Sequence, residues 1–334
     1  MLEAVQLGNS GLRVSELCLG TMNFGIPGRG HQGDWTLTLE EARPIVKAAI
    51  DHGLFYFDCA DIYGLGASEE VVGALLKELL PRDEYVLATK IAMPMGRGAN
   101  QGGLSRKHVR EGIDACLQRT GHDYIDHLVI HRHPHGIPGS ARTPIEETLE
   151  ALHDAVKEGK VLYLGGSSMF AWQFAELQLT AKMNNWTPFV SMQNHHNLVY
   201  REEEREMNPY CASTGVALTP WSPLARGILA GSYQGGFSGG STSRSQGQDR
   251  KRTEGLYQGD HVFPIAERVI ETASKYECSP AQIAVAWLKG RPEVTSPIVG
   301  VSKVSQLEDL VAAAAIELAA EEVAYLEELY RPVE

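Results

Sequence analysis

The stretch Phe55-Tyr56-Phe57-Asp58-Cys59-Ala60-Asp61-Ile62-Tyr63-Gly64 reads as a buried strand that ends in a carboxylate, with a tyrosine five positions later. Two further apolar runs end in ionisable side chains: Tyr85-Val-Leu-Ala-Thr-Lys90 in an ammonium, and Ile125-Asp-His-Leu-Val-Ile-His131 in an imidazole. Laid side by side and parallel, these strands bring Asp58, Tyr63, Lys90 and His131 to one rim of a sheet. Continuous apolar runs of this length suit strands covered on both faces, which is the condition of a parallel sheet.

The same alternation extends along the chain. Strands are expected at residues 17–21, 54–58, 85–90, 125–131, 161–167, 189–193, 216–221 and 296–299, with helical patterns between them. Three helix starts carry a hydroxyl ahead of an acid or amide three positions on: Thr38 to Glu41, Thr143 to Glu146 and Ser279 to Gln282. In the last two a proline occupies the first helical position. Eight strand–helix units predict an α/β fold of the (β/α)8 TIM-barrel type, one domain over residues 1–334, and not two smaller domains. Ahead of the first barrel strand, residues 5–14 read as a β-hairpin turning at Asn9–Gly11, placed to plug the barrel floor. The loop after strand seven is much the longest, and residues 231–247 within it are polar and glycine-rich. It reads either as a disordered surface insertion or as a mobile flap over the rim.

Composition narrows the partners. The 334 residues are 43% hydrophobic and 22% charged, ordinary values for a globular enzyme. A net charge of −12 argues against nucleic acid and acidic membranes as partners, since phosphate backbones are bound by basic surfaces. No apolar run is long enough to span a bilayer, and the N-terminus lacks the pattern of a signal peptide. Five scattered cysteines without a CxxC spacing read as reduced thiols in a cytoplasmic protein.

In a parallel barrel the strands' C-terminal ends carry the chemistry. Here strands two to seven close in order on Asp58, Lys90, His131, Ser167, Gln193 and Trp221, all polar or amphipathic although the strands are apolar. A phenol next to an ammonium held by a carboxylate is a proton donor suited to an oxygen on which negative charge develops. The free phenol, with a pKa of about 10, needs the ammonium to bring it toward neutral pH. An imidazole alongside can hydrogen-bond the same oxygen.

At this point the sequence resembles the aldo-keto reductases. The likeness is carried by residues 57–64, by Thr89-Lys90, Ile130-His131-Arg132, Gln193-Asn194-His195-His196-Asn197-Leu198 and Ser222-Pro223-Leu224-Ala225-Arg226-Gly227. It runs from about Leu7 to about Leu310. The resemblance implies reversible reduction of aldehydes and ketones with NADP(H) as cofactor. Tyr63 would be the acid, and Asp58, Lys90 and His131 would complete a catalytic tetrad. It also implies cofactor contacts. Ser167, Gln193 and Asn194 would hold the nicotinamide carboxamide, with Trp221 stacked on the ring. Gly20, Thr21, Met22 and Asp58 would lie by its ribose. Ser222, Leu224, Arg226 and Gly227 would follow the pyrophosphate. Gly300, Ser302, Lys303 and Gln306 would surround a 2′-phosphate at a helix N-terminus. The chain departs from the pattern at three places. Ser168 stands where Asn is usual, Trp221 where most relatives carry Tyr, and Leu310 where many carry an adenine-contacting Asn. The chain stops at Glu334, so the resemblance implies a pocket without the long C-terminal loop of some branches.

Two other readings fit parts of the sequence. Channel-associated β subunits resemble the same family and keep the tetrad while serving as partner proteins. The run His131-Arg132-His133-Pro134-His135 has the look of a metal site in a zinc-dependent barrel hydrolase, but Ser167, Gln193 and Trp221 at the later strand ends are not metal ligands. The substrate, a small carbonyl or alcohol, and the oligomeric state stay open.

Overall fold

The computed structural model describes residues 1–30, 35–137, 142–233, 235–247 and 249–333. Among the described residues, ten strands form two sheets. An antiparallel hairpin pairs β1 (Ala4–Gln6) with β2 (Arg13–Ser15). The parallel sheet contains β3 (Cys18–Gly20), β4 (Tyr56–Asp58), β5 (Val86–Ile91), β6 (Ile125–Ile130), β7 (Val161–Ser167), β8 (Phe189–Gln193), β9 (Ala217–Leu218) and β10 (Ile298–Val299). Its order is β10-β3-β4-β5-β6-β7-β8-β9. The sheet closes because Thr295 and Ile298 N–H donate to the carbonyls of Leu218 and Pro220, at 2.9 and 2.8 Å. The fold is therefore the expected (β/α)8 barrel. The seventh and eighth barrel strands are shorter than the sequence predicts. Pro220 and Pro297 bring no N–H to the ladder, although Thr219 and Trp221 still donate to Met192 and Asn194.

The helices are α1 (Leu39–Asp51), α2 (Ala67–Leu79), α3 (Arg106–Thr120), α4 (Ile145–Lys157), α5 (Ala171–Met183), α6 (Met207–Thr214), α7 (Ser243–Gln246), α8 (Asp249–Leu256), α9 (Val262–Lys275), α10 (Pro280–Lys289), α11 (Val304–Ala312) and α12 (Ala320–Glu327). Two of the three expected capping boxes form. Thr38 Oγ1 accepts from Glu41 N–H while Glu41 receives Thr38 N–H, and Ser279 does the same with Gln282. The third does not. Pro144 is extended (ψ 135°), so α4 starts at Ile145 with Pro144 itself at the N-cap and no side-chain cap. Thr143 is left one residue too far back to reach the helix.

Outward strand residues such as Phe57, Leu19 and Leu87 pack under α1, α2 and α11. Inward residues contact each other across the barrel. Near the floor, His127 shares hydrogen bonds with Tyr56 OH and Ser191 Oγ, both 2.8 Å. The hairpin seals this end, as expected. Leu7 and Val14 join Tyr56 and Ala88 in one apolar cluster, and Asn9 N–H donates to Gly215 O at 2.8 Å. Within the long loop, Tyr233 is buried and meets Phe237, which meets Phe263 of α9. Gln234 and the side chains of Ser243 and Arg244 lie outside the described residues.

Gly8 shows how closely the hairpin fits. It has φ +57°, and a Cβ there would meet Val190 O at 2.5 Å. Gly8→Ala is therefore expected to lower stability by about 1–3 kcal/mol, read as a reduced urea midpoint, without altering the distant rim. An unchanged midpoint would show that the hairpin is not packed against the floor.

Candidate active site

The side chain of Lys90 rises from β5 into the barrel with no exposed surface. An ammonium has three N–H donors, and all three have acceptors: Asp58 Oδ2 at 2.6 Å, Cys59 O at 2.7 Å and Tyr63 OH at 3.3 Å. Asp58, at the end of β4, takes a second hydrogen bond on Oδ1 from Gln193 Nε2 of β8, at 2.9 Å across the barrel. Burial opposes the charge on Lys90, but the Asp58 carboxylate, Tyr63 and the hydrogen bond to Asp58 outweigh it and hold the ammonium above its ordinary value.

Tyr63 lies in a recess, densely surrounded yet with part of its surface open. Because its oxygen accepts from Lys90, its own proton is directed away from the ammonium. Burial raises the phenol above its usual pKa, and Lys90 opposes that rise only in part. The expected net lowering is thus corrected. Desolvation of a phenolate in this recess outweighs a cation 3.3 Å away. His131 follows β6, its ring edge-on to Tyr63 with centroids 5.9 Å apart. Burial first, then the charges of Lys90, Arg132 and Arg252, hold it well below the ordinary histidine value, so it is a neutral imidazole. The four residues drawn from separate stretches do meet.

With this geometry in hand, comparison with known proteins is direct. The sequence model of the aldo/keto reductase family matches residues 16–331. The chain belongs to that family. It is 44% identical to a Schizosaccharomyces pombe protein provisionally named an aryl-alcohol dehydrogenase, over 98% of this chain and 95% of that one. It is 40% identical to the versiconal hemiacetal acetate reductase of Aspergillus parasiticus (99% and 98%) and 42% identical to an aldo-keto reductase of Fusarium vanettenii (98% and 90%).

Aldo/keto reductases are oxidoreductases, and the rim around Tyr63 has a donor set suited to a nicotinamide nucleotide. Trp221 presents a ring backed by a stack: His195 lies 4.0 Å behind it at 8°, and Tyr200 lies 4.1 Å from His195. Gln193 uses its side-chain N–H for Asp58, leaving its side-chain amide oxygen without a partner among the described residues. Ser167 Oγ is tied to Gln193 O at 2.9 Å. Ser222, Ala225, Arg226 and Gly227 all have positive φ, a strained turn held by its own hydrogen bonds from Ala225 N–H to Ser222 O and from Gly227 N–H to Leu224 O, at 3.0 and 2.9 Å. Ser302, Lys303 and Gln306 are exposed at the start of α11, beside the exposed Gly300.

Three expected contacts land elsewhere. Thr21 is fully buried, its hydroxyl donating to Asp58 O and meeting Ser68 Oγ, so it braces β4. Asn194 donates to Asn208 of α6 at 2.8 Å, in the helix layer. Arg226 is engaged by Asp249 and Thr253 of α8, which ties the long loop to the rim. Gly20 and Met22 lie at the end of β3 as expected, and Leu224 leads into the strained turn.

Sequence reading missed two features. One is Cys59 O as an acceptor for Lys90, invisible because a backbone carbonyl has no residue signature. The other is the hydrogen bond from Trp221 Nε1 to Ser168 Oγ, 3.0 Å. Two of the three departures from the family pattern are therefore partners of each other, and reading them together was the available signal. His133 and His135 meet edge to face, 5.0 Å apart. Among the described residues no three His, Cys, Asp or Glu gather where they could share a metal ion.

Lys90→Met would leave Asp58 charged and buried with only Gln193 as partner. The expected loss is about 3–5 kcal/mol, measured by urea denaturation, and Asp58→Asn in the same chain should restore part of it. A single variant as stable as the parent would mean that the pair is not formed.

Proposed function

We propose that this chain reduces aldehydes or ketones to alcohols, reversibly, with NADP(H), and that Asp58, Tyr63, Lys90 and His131 are its catalytic residues. The observation that carries the reading is the contact of the half-exposed Tyr63 with Lys90: its oxygen accepts from the ammonium, which leaves its own proton free for another acceptor. When bound, the reduced nicotinamide supplies the hydride. The protein's residues handle the oxygen. Neutral His131 donates a hydrogen bond to the carbonyl and sets its direction. As negative charge develops on that oxygen, Tyr63 transfers its proton, and the Lys90 ammonium stabilises the phenolate left behind. Asp58 keeps Lys90 charged and fixed.

The cofactor assignment rests on chemistry of the same kind. Ser167 and Gln193 border the position of a carboxamide, and Trp221 offers a face for its ring. Gly20 and Met22 flank the ribose. Ser222, Leu224, Arg226 and Gly227 shape the pyrophosphate turn. Lys303 and the α11 N-terminus, with Gly300, Ser302 and Gln306, favour a 2′-phosphate and hence NADP(H) over NAD(H). One domain of this size, with five free thiols, fits a cytoplasmic enzyme acting on small molecules.

The direct test follows nicotinamide absorbance across a panel of aldehydes and ketones with NADPH and NADH in parallel. Tyr63→Phe should lower kcat by about 10²–10⁴-fold while cofactor affinity, read by fluorescence titration, stays near the parent value. Near-normal turnover in that variant defeats the mechanism. The pH profile gives a second check. Reduction needs the phenol protonated, and burial raises its pKa, so activity should persist through neutral pH and fall only on the alkaline side. Because His131 is already neutral, no loss is expected between about pH 6 and 8, where an ordinary histidine would titrate.

A further inference from the structure

We propose that Glu69, with Arg119 and Thr89, positions the Tyr63 phenol against Lys90 from the outer side of the barrel wall. This rests on the function proposed above and adds three positioning residues to it. Tyr63 sits where the backbone needs support. The residues after it, Gly64, Leu65 and Gly66, have φ of 58°, 49° and 89°, so the chain is left-handed at successive positions. Leu65 carries a Cβ into that region, which sterics disfavour. Such a turn keeps its shape where neighbours hold it, and its shape decides where the phenol points.

Glu69, in the first turn of α2, meets both sides of the contact. Strand alternation sends Lys90 into the barrel and Thr89 outward, where Thr89 Oγ1 donates to Glu69 Oε1 at 2.5 Å. Glu69 Oε2 accepts from Arg119 Nε of α3, also at 2.5 Å. Arg119 in turn fills the space beside the turn: a Cβ on Gly66 would lie 2.3 Å from its Cδ and 2.6 Å from its Nε. One carboxylate therefore joins the strand of Lys90 to the turn of Tyr63. The backbone makes a matching tie, since Asp61 N–H donates to Lys90 O at 3.1 Å. Glu69 and Thr89 are fully buried. An ion pair in such a place brings little net stability, and apolar side chains would fill the layer equally well. What it supplies, and apolar packing does not, is a set of directed bonds that fixes the spacing of two elements. Arg29 holds the same turn from the solvent side, through Leu65 O at 2.7 Å and Glu70 at 2.8 Å. Among the described residues it makes no bond to β5.

The test follows single-turnover hydride transfer from bound NADPH to the panel aldehyde that is reduced fastest. Rates are expressed per cofactor site titrated by fluorescence, so unfolded protein does not count. Thr89→Val keeps the side-chain shape and removes the hydroxyl. The rate should fall about 10–100-fold, the cost of a small misplacement near the reacting atoms, with KM and the NADPH dissociation constant close to the parent values. Thr89→Ser returns the hydroxyl and should recover most of the rate. Glu69→Gln combined with Arg119→Met, which leaves no buried charge unpaired, should lose as much as Thr89→Val. Arg29→Gln loosens a partly exposed pair and should cost no more than about fivefold. Full rate per site in Thr89→Val and in the double variant overturns the proposal. Equal losses in Thr89→Ser and Thr89→Val also overturn it, by assigning the effect to packing. A loss in Arg29→Gln as large as in Thr89→Val does the same, by assigning it to the turn alone. Hydrogen exchange supplies a readout free of turnover. Amides of residues 61–66 should exchange faster in Thr89→Val and in the double variant, while those of the hairpin at residues 4–15 keep the parent rate. If no carbonyl is turned over, the reductase reading fails, and exchange still decides the clamp; unchanged exchange at residues 61–66 overturns it.

Discussion

The ion pair between Lys90 and Asp58, 2.6 Å long and sealed from water, sets the terms for the rest of the molecule. Removing two charges from water costs several kcal/mol for each ion, and attraction compensates only if the remaining donors and acceptors are matched. Here they are matched by adjacent strands and by one strand opposite. Lys90 reaches Asp58, the Cys59 carbonyl and Tyr63; Asp58 reaches Gln193. The pair therefore braces β4, β5 and β8 across the barrel interior. It also fixes a phenol with its oxygen turned to a cation. Stability and the proton donation proposed for Tyr63 depend on the same contact.

The two ends of the barrel divide the work. At the floor, neutral His127, Tyr56 and Ser191 satisfy one another, and the hairpin closes the end against solvent. At the rim the backbone is strained. Of the eight non-glycine residues with positive φ among the described residues, Leu65, Ala92, Ser168, Ser222, Ala225 and Arg226 all follow barrel strands, whereas Asn185 and Glu277 follow helices. Strain of this kind persists only where surrounding structure holds it. The relaxed floor and the braced interior supply that support.

Much of this was legible in residue order because parallel strands must be apolar, so a polar residue at a strand end stands out. Asp58, Lys90 and His131 announced themselves in this way, and Tyr63 followed from its spacing. What was not legible depends on direction and environment. Thr143 has the right residue type for a cap, but the conformation of Pro144 moves the helix start beyond its reach. Asn194 sits beside Gln193, yet strand alternation turns it to the helix layer. The direction of the Tyr63 shift is a balance between burial and one neighbouring cation. Sequence names both contributors without weighing them.

The same limit explains Trp221. A tryptophan and a serine, each unusual for the family, look like two independent losses until the indole N–H is seen to donate to Ser168 Oγ. That bond fixes the tilt of the ring from one edge, and His195 fixes it from behind. His195 is a demanding backing, since a protonated imidazole would set a cation under the face proposed for a nicotinamide that becomes positive on oxidation. Burial, reinforced by His196 and Arg226, pulls its pKa down to about 3. The stack is therefore uncharged at any pH at which the protein would work. A histidine serves here as a flat hydrogen-bonding spacer, linking Trp221 to Tyr257 and through it to the end of the long loop.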